Sequence, residues 1–286
     1  MQEPVWQPRA RFEALRAERG FAAKAGGLWC CGDLEPLRRP CVAIVGTRAA
    51  TAYGKRVARE LAARLSEAGC CILSGLALGI DTAAHEGALD ATAATIGVLG
   101  GGHSHFFPRS NVRLAARMLA AGGAVLSPFA PSERAMPAQF LQRNGVVAAL
   151  ADAVVVVEAP ARSGALNTAG WAAGRIPVLA VPGDVDRRHV AGCLSLIRDG
   201  AMLARNAGDV LEALGLHSRQ TLLAAPAAAA DPAEQSLLAA LDAGALGVEH
   251  LAAATQLPAA AILAALTRLE LNGLVERRGA DEFARL

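Results

Sequence analysis

Six short apolar runs alternate along the chain with stretches of helical spacing, and no other feature limits the possible folds as strongly. The runs lie at Val42–Val45, Cys71–Leu73, Thr95–Leu99, Ala124–Leu126, Ala153–Val157 and Pro177–Val181, and the helical patterns at 55–68, 80–90, 110–121, 138–150 and 164–174. A continuous apolar run fits a strand buried on both faces, and strands joined through helices pair in parallel. The alternation predicts an α/β fold, a Rossmann-like doubly wound, mostly parallel sheet. Ligands of such sheets sit at the carboxyl ends of the strands. Gly46, Gly75, Gly100–Gly102 and Pro182-Gly183 all follow strands, so glycines converge on that edge and predict a cleft there.

With 286 residues, 53% of them apolar, the chain can bury one large core and a small second one. The net charge of +2 is uneven: residues 27–215 carry 18 basic and 15 acidic groups, residues 216–286 five and eight. A net acidic tail is a poor electrostatic partner for nucleic acid. Cys30, Cys31, Cys41, Cys70, Cys71 and Cys193 form no C-x-x-C pair and read as small buried residues in a reducing compartment, which points to the cytoplasm. Met1–Phe12 shows no secretory pattern, and no apolar stretch is long enough for a membrane span, Asp152 interrupting Val146–Val157.

The expected organisation is a short N-terminal extension (1–26), a Rossmann-like domain (27–215), an Ala/Pro-rich linker (216–232) and a winged helix (233–286). The last is read from helical stretches at Glu234–Asp242, Gly247–Thr255 and Pro258–Asn272, followed by two short strands around a glycine-containing turn. Its third helix offers Arg268 beside Glu270, too few donors for a base-reading helix, so a protein-contact role is favoured.

The segment V-A-I-V-G-T-R-A-A-T-A-Y-G, Val42–Gly54, is a strand, a turn and a helix start. Unpaired N–H groups and the helix dipole suit such a turn to an anion, and Arg48 adds a planar fork of donors for phosphate. The dinucleotide pattern G-x-G-x-x-G is absent, and the next strand ends without an acidic residue for a ribose. No cofactor is implied. Ser163-Gly164 opens a later helix and forms a second anion seat facing the first. Phe140, Arg143 and Asn144 combine an aromatic with a guanidinium, the pairing that stacks bases and follows phosphates of single strands. Asp81 and His85, four apart, are read as a structural pair, with no nucleophile beside them. His103 and His105 lack a third ligand, so no metal is expected.

Taken together, I-V-G-T-R, Y-G, S-G-L-A-L-G-I-D-T-A-A-H, F-P-R-S-N, F-L-Q-R-N, V-V-V-E-A, S-G-A-L-N-T-A, G-R-I-P-V-L-A-V-P-G and L-I-R-D-G-A resemble, in order, the DNA-processing protein A family, also called DprA or Smf. The resemblance implies a Rossmann-like protein that is not an enzyme, binds single-stranded DNA, loads the recombinase RecA and supports natural transformation as a homodimer. It implies that Arg48 and Arg109 contact phosphates, that Phe140 stacks a base and that Arg143 and Asn144 hold the adjacent backbone. Gly46, Thr47, Gly75, Ser163 and Gly164 would line the pocket with backbone donors.

The chain departs from the family pattern at Leu78 and Gly145, where arginines are usual, at Pro128-Phe129 and at Cys193. Only about 26 residues precede the first fold motif, so the helical domain that fronts the family is expected to be largely missing. Two alternatives stand beside this reading. One is a nucleoside-monophosphate phosphoribohydrolase of the lysine-decarboxylase-like fold, although Ser163–Gly170 lacks the glutamate such enzymes place there; the other is a degenerate paralogue that keeps the fold and the winged-helix partner surface but has lost competent DNA binding.

Overall fold

The computed structural model describes residues 3–16, 26–216, 232–242, 244, 246–271, 274–277 and 282–285. They fall into two compact units, Met1–Ser218 and Arg219–Leu286. The first is built on a nine-stranded sheet: β1 (Val5–Pro8), β2 (Gly27–Gly32), β3 (Cys41–Val45), β4 (Cys71–Ser74), β5 (Thr95–Val98), β6 (Ala124–Ser127), β7 (Ala153–Val156), β8 (Val178–Ala180) and β9 (Met202–Leu203). The spatial order is β1-β2-β6-β5-β4-β3-β7-β8-β9. From β6 to β9 all pairings are parallel, while β1 and β2 join one edge antiparallel.

The chain steps outward from β3 to β6, then returns to lay β7 on the other side of β3. At that reversal the connections leaving β3 and β7 diverge, and a crevice opens at their carboxyl ends. Among the described residues eight α-helices accompany the sheet: α1 (Arg9–Leu15), α2 (Ala52–Glu67), α3 (Ile80–Asp90), α4 (Val112–Ala120), α5 (Pro137–Leu150), α6 (Gly164–Ala172), α7 (Ala191–Arg198) and α8 (Ala207–Ala213). Strand residues alternate between faces. Thus Ala43 and Val45 pack in one core with Val147 of α5 and Ala169 of α6, and Val42 and Ile44 in another with Leu61 of α2 and Ala84 of α3. Covering both faces is what makes the central strands β3 and β7 apolar and buried throughout.

Residues 3–16, set apart in the sequence as part of a short extension, join this unit. β1 pairs with β2, and Trp6 meets Trp29 edge-on with ring centroids 5.5 Å apart. Beyond α1, buried Arg16 pairs with Asp152 and donates to the Leu37 carbonyl (3.0 Å) and to Cys41 Sγ (3.2 Å). Asp152 also accepts from the Cys41 amide at 2.7 Å. The carboxylate that breaks an apolar run in sequence is therefore an anchor beneath the sheet. All six cysteines are free thiols and buried.

The second unit contains α9 (Pro232–Leu241), β10 (Leu246–Gly247), α10 (Val248–Thr255), α11 (Ala259–Leu271), β11 (Val275–Arg277) and β12 (Glu282–Arg285), the strands ordered β10-β12-β11. Leu237, Leu241, Leu251, Ile262, Leu266 and Phe283 form its core. This is the winged-helix arrangement the sequence predicts. Residues 217–231, most of the expected linker, lie outside the described residues, as does the wing turn. Among the described residues no single helix is long and apolar enough to cross a membrane.

Candidate nucleic-acid interface

The crevice between the ends of β3 and β7 is a cleft of about 590 Å³, and nine of the ten residues singled out in sequence line it. They reach it in different chemical states. After β3 the chain turns at Gly46, where any side chain would collide with Ile80 and the Glu158 carbonyl. The Thr47 amide donates to that carbonyl at 2.7 Å, so it is not a donor for a ligand, contrary to the expectation for this residue. The Glu158 side chain, itself buried, accepts from the Thr51 amide (2.9 Å) and hydroxyl (2.5 Å) at the start of α2. Gly54 leaves room for that carboxylate. The anion seat expected at this helix start is thus filled by the protein's own acid, which complements the dipole.

Arg48 points elsewhere. It is exposed, forms no ion pair or side-chain hydrogen bond with a described residue, and rests over the Phe140 ring 5.0 Å from its centroid. Phe140 is half-buried, backed by Gly100 and met edge-on by Phe107 at 6.1 Å.

Arg143 differs sharply. It is 4% exposed and donates through Nη1 to the Gly75 carbonyl and to the Val98 carbonyl, the latter at 2.6 Å. Gly75 must be glycine because a Cβ would overlap the guanidinium. Its amide donates to Asp81 at 3.0 Å, so both backbone groups of Gly75 are taken, correcting its reading as a ligand donor. Burial pushes the Arg143 guanidinium down to about 10, with Asp81 opposing and Arg48 adding to the shift. Burial likewise raises the Asp81 carboxyl, against the pull of Arg143. Arg143 therefore forms the cleft floor, and its buried Nη1 bonds correct the expectation of an outward phosphate grip. Asp81 and His85 are structural but not partners. His85 Nδ1 meets Thr95 Oγ1 at 2.9 Å, and burial, helped by Arg143, holds the imidazole down to about 3.

On the opposite wall α6 begins at Gly164, with the Ser163 hydroxyl accepting from the Ala165 amide at 3.2 Å. Asn144 is also internal: its Nδ2 donates to the Gly164 carbonyl at 3.0 Å and sets the start of α6, where a grip on a ligand backbone was expected. Arg162, which the sequence reading passed over, lines this wall exposed and without a described partner. Its signal was present, an arginine directly before the S-G helix start. Arg109 lies exposed beyond the cleft, but the adjacent Ser110 and Asn111 line a neighbouring groove. At Gly145 the Trp171 indole packs where a side chain would stand. His103 bonds through Nε2 to the Val125 carbonyl at 3.0 Å.

The profile of the family described as DNA recombination-mediator protein A matches residues 19–215. The chain belongs to this family. A second profile, the DprA winged helix domain, matches residues 222–280. Curated DprA relatives include a putative DNA processing protein DprA of Mycobacterium tuberculosis, 43% identical over 88% of this chain and 66% of its own length. DNA processing protein DprA of Bacillus subtilis is 39% identical over 65% of this chain and 63% of its length. The chain thus spans just under two thirds of these relatives. Among solved structures, DNA processing protein A of Streptococcus pneumoniae matches with a TM-score of 0.66 at 35% identity, over 74% of each chain. The Helicobacter pylori protein, solved to describe its single-stranded DNA binding mode, matches at 0.63 and 30% identity, over 74% of this chain and 94% of that one.

Proposed function

We propose that the cleft binds single-stranded DNA and that the chain is a non-enzymatic mediator, delivering RecA to the strand in recombination and natural transformation. The observation that carries this is Arg48, a guanidinium without an internal acceptor, lying on an aromatic ring in a cleft that also holds Arg143 and Arg162. The three cations face one carboxylate among the lining residues, Asp81, and that group is engaged by the Gly75 and Ala77 amides. An anion at Arg48 offsets the repulsion it exerts on Arg143. Backbone phosphates meet Arg48 and Arg162, and a base stacks on Phe140 in place of the guanidinium now covering it.

The acids at and near the cleft are tied internally, which offers little to a hydrolase: the Glu158 carboxylate accepts from Thr51 at the start of α2, and Asp81 Oδ2 accepts from the Gly75 and Ala77 amides. Two copies of the chain meet through the β9 edge, where Met202 and Leu203 are half-exposed and only β8 is paired. In the winged helix the exposed side of α11 shows Leu263, while Arg268 is tied to Glu234 at 2.6 Å, which supports a protein contact over DNA reading.

The test is a salt titration of oligo-dT binding. Arg48→Ala is expected to weaken binding for all sequences alike and to flatten the log-log salt dependence by about 0.7. Unchanged binding in that variant, or none by the parent at low salt, rejects the reading.

A further inference from the structure

A second groove, of about 850 Å³, lies between α2 and α3 on the far side of Arg48. Arg48 lines both cavities and so stands on the saddle between them. Its mouth carries Lys55 from the first turn of α2, exposed and without a described partner, and Ser110 and Asn111 from the loop that also carries Arg109. Leu78, an apolar side chain 46% exposed, lines the groove with them. The tight turn behind it is fixed, because Gly79, at φ +82°, abuts the Thr47 carbonyl and the Ile80 amide bonds to that same oxygen at 3.3 Å.

Farther along, the groove is electrically closed. Arg59 holds Asp90 (Nε–Oδ2 2.5 Å) and approaches Glu86 at 3.6 Å, and Arg56 pairs with Glu60 at 3.8 Å. Free positive charge is therefore confined to the end nearest Arg48. A small anion has no reason to prefer this mouth to the first cleft, whereas a polymer leaving that cleft over Arg48 meets it next.

We propose that the α2–α3 groove mouth is a second subsite for the same DNA strand. Lys55 and Arg109 take the phosphates after the one at Arg48, and Leu78 packs against the intervening sugar or base. This explains why Arg109, though free and exposed, lies outside the first cleft. The inference rests on the reading of the first cleft as a single-strand site, and it extends the footprint without adding base specificity.

The experiment compares labelled oligo-dT of roughly five and roughly twenty nucleotides, lengths bracketing a short site and an extended one, by fluorescence anisotropy on the full chain. Lys55→Glu is expected to weaken the long oligomer about tenfold through a reversed phosphate contact, and to leave the short one within about twofold, since exposed substitutions rarely perturb the fold. Leu78→Arg is expected to strengthen only the long oligomer and to steepen its salt slope by about 0.7. Equal effects on both lengths, or none in either variant while Arg48→Ala still weakens binding, overturn the second subsite and leave the first. Loss of the Arg48 effect, or no binding by the parent, removes both. Thermal melts of each variant separate lost contact from lost fold.

Discussion

Arg16, at the amino end of the parallel sheet, and five arginines in the loops at its carboxyl end are used in opposite ways. At the amino end Arg16 is buried, and its donors are consumed by Asp152, the Leu37 carbonyl and Cys41 Sγ. At the carboxyl end Arg48, Arg109, Arg134, Arg162 and Arg188 rise from the loops after β3, β5, β6, β7 and β8, each exposed and bonded to no described side chain. The loop after β4 breaks the series with Leu78. What separates Arg16 from these five is the supply of internal acceptors: where the fold provides them the guanidinium is structural, and where it does not the charge is left exposed. Arg143 sits at the ligand end yet behaves like Arg16.

Breaking the amino-end anchor has the largest expected effect. Arg16→Ala leaves Asp152 buried without its cation and costs about 3–5 kcal/mol of stability, read by denaturant melts, with DNA affinity per folded molecule unchanged. A loss below 1 kcal/mol would show that the two ends are not so different.

Acid tests the buried layer beneath the cleft. The folded chain holds His85 neutral down to about 3, while an unfolded imidazole titrates near 6.5. Between those values the unfolded state binds the extra proton, so stability falls as pH drops from about 6.5 toward 3. Melts at neutral and acid pH should show a shallower acid loss in His85→Asn than in the parent.

Arg143→Met sharpens the contrast within the cleft. Two charged hydrogen bonds go, at about 1.5–3 kcal/mol each before repacking, and the melt should shift far more than the binding isotherm. An intact melt with abolished binding would instead place Arg143 with the ligand-facing set. Arg162→Ala is the smallest in stability, within about 0.5 kcal/mol. Its signature is a reduced salt slope in single-strand titrations.

The six core strands and their helices were legible because burial on both faces leaves an uninterrupted apolar run, and β3 to β8 lie within a residue or two of those runs. β2 was not, since its G-L-W-C-C-G stretch shows no alternation and owes its pairing to β6. Two-residue β9 is too short for any period to register. In the cleft, residue types revealed the location but not the roles. Nothing local in F-L-Q-R-N says that Arg143 turns inward, because its acceptors, Gly75 and Val98, come from strand ends 68 and 45 positions away. The same distance hides Glu158, whose partner Thr51 is 107 positions off.

That glutamate has a consequence for selectivity in a crowded solution. Fixed amides at a helix start hold a compact terminal phosphate, as carried by free mononucleotides. With Glu158 seated there, such metabolites find no rigid cradle at α2 and must compete through single flexible arginines. A strand with many phosphates loses little to them, so the cleft stays open to polymer amid an excess of monomer.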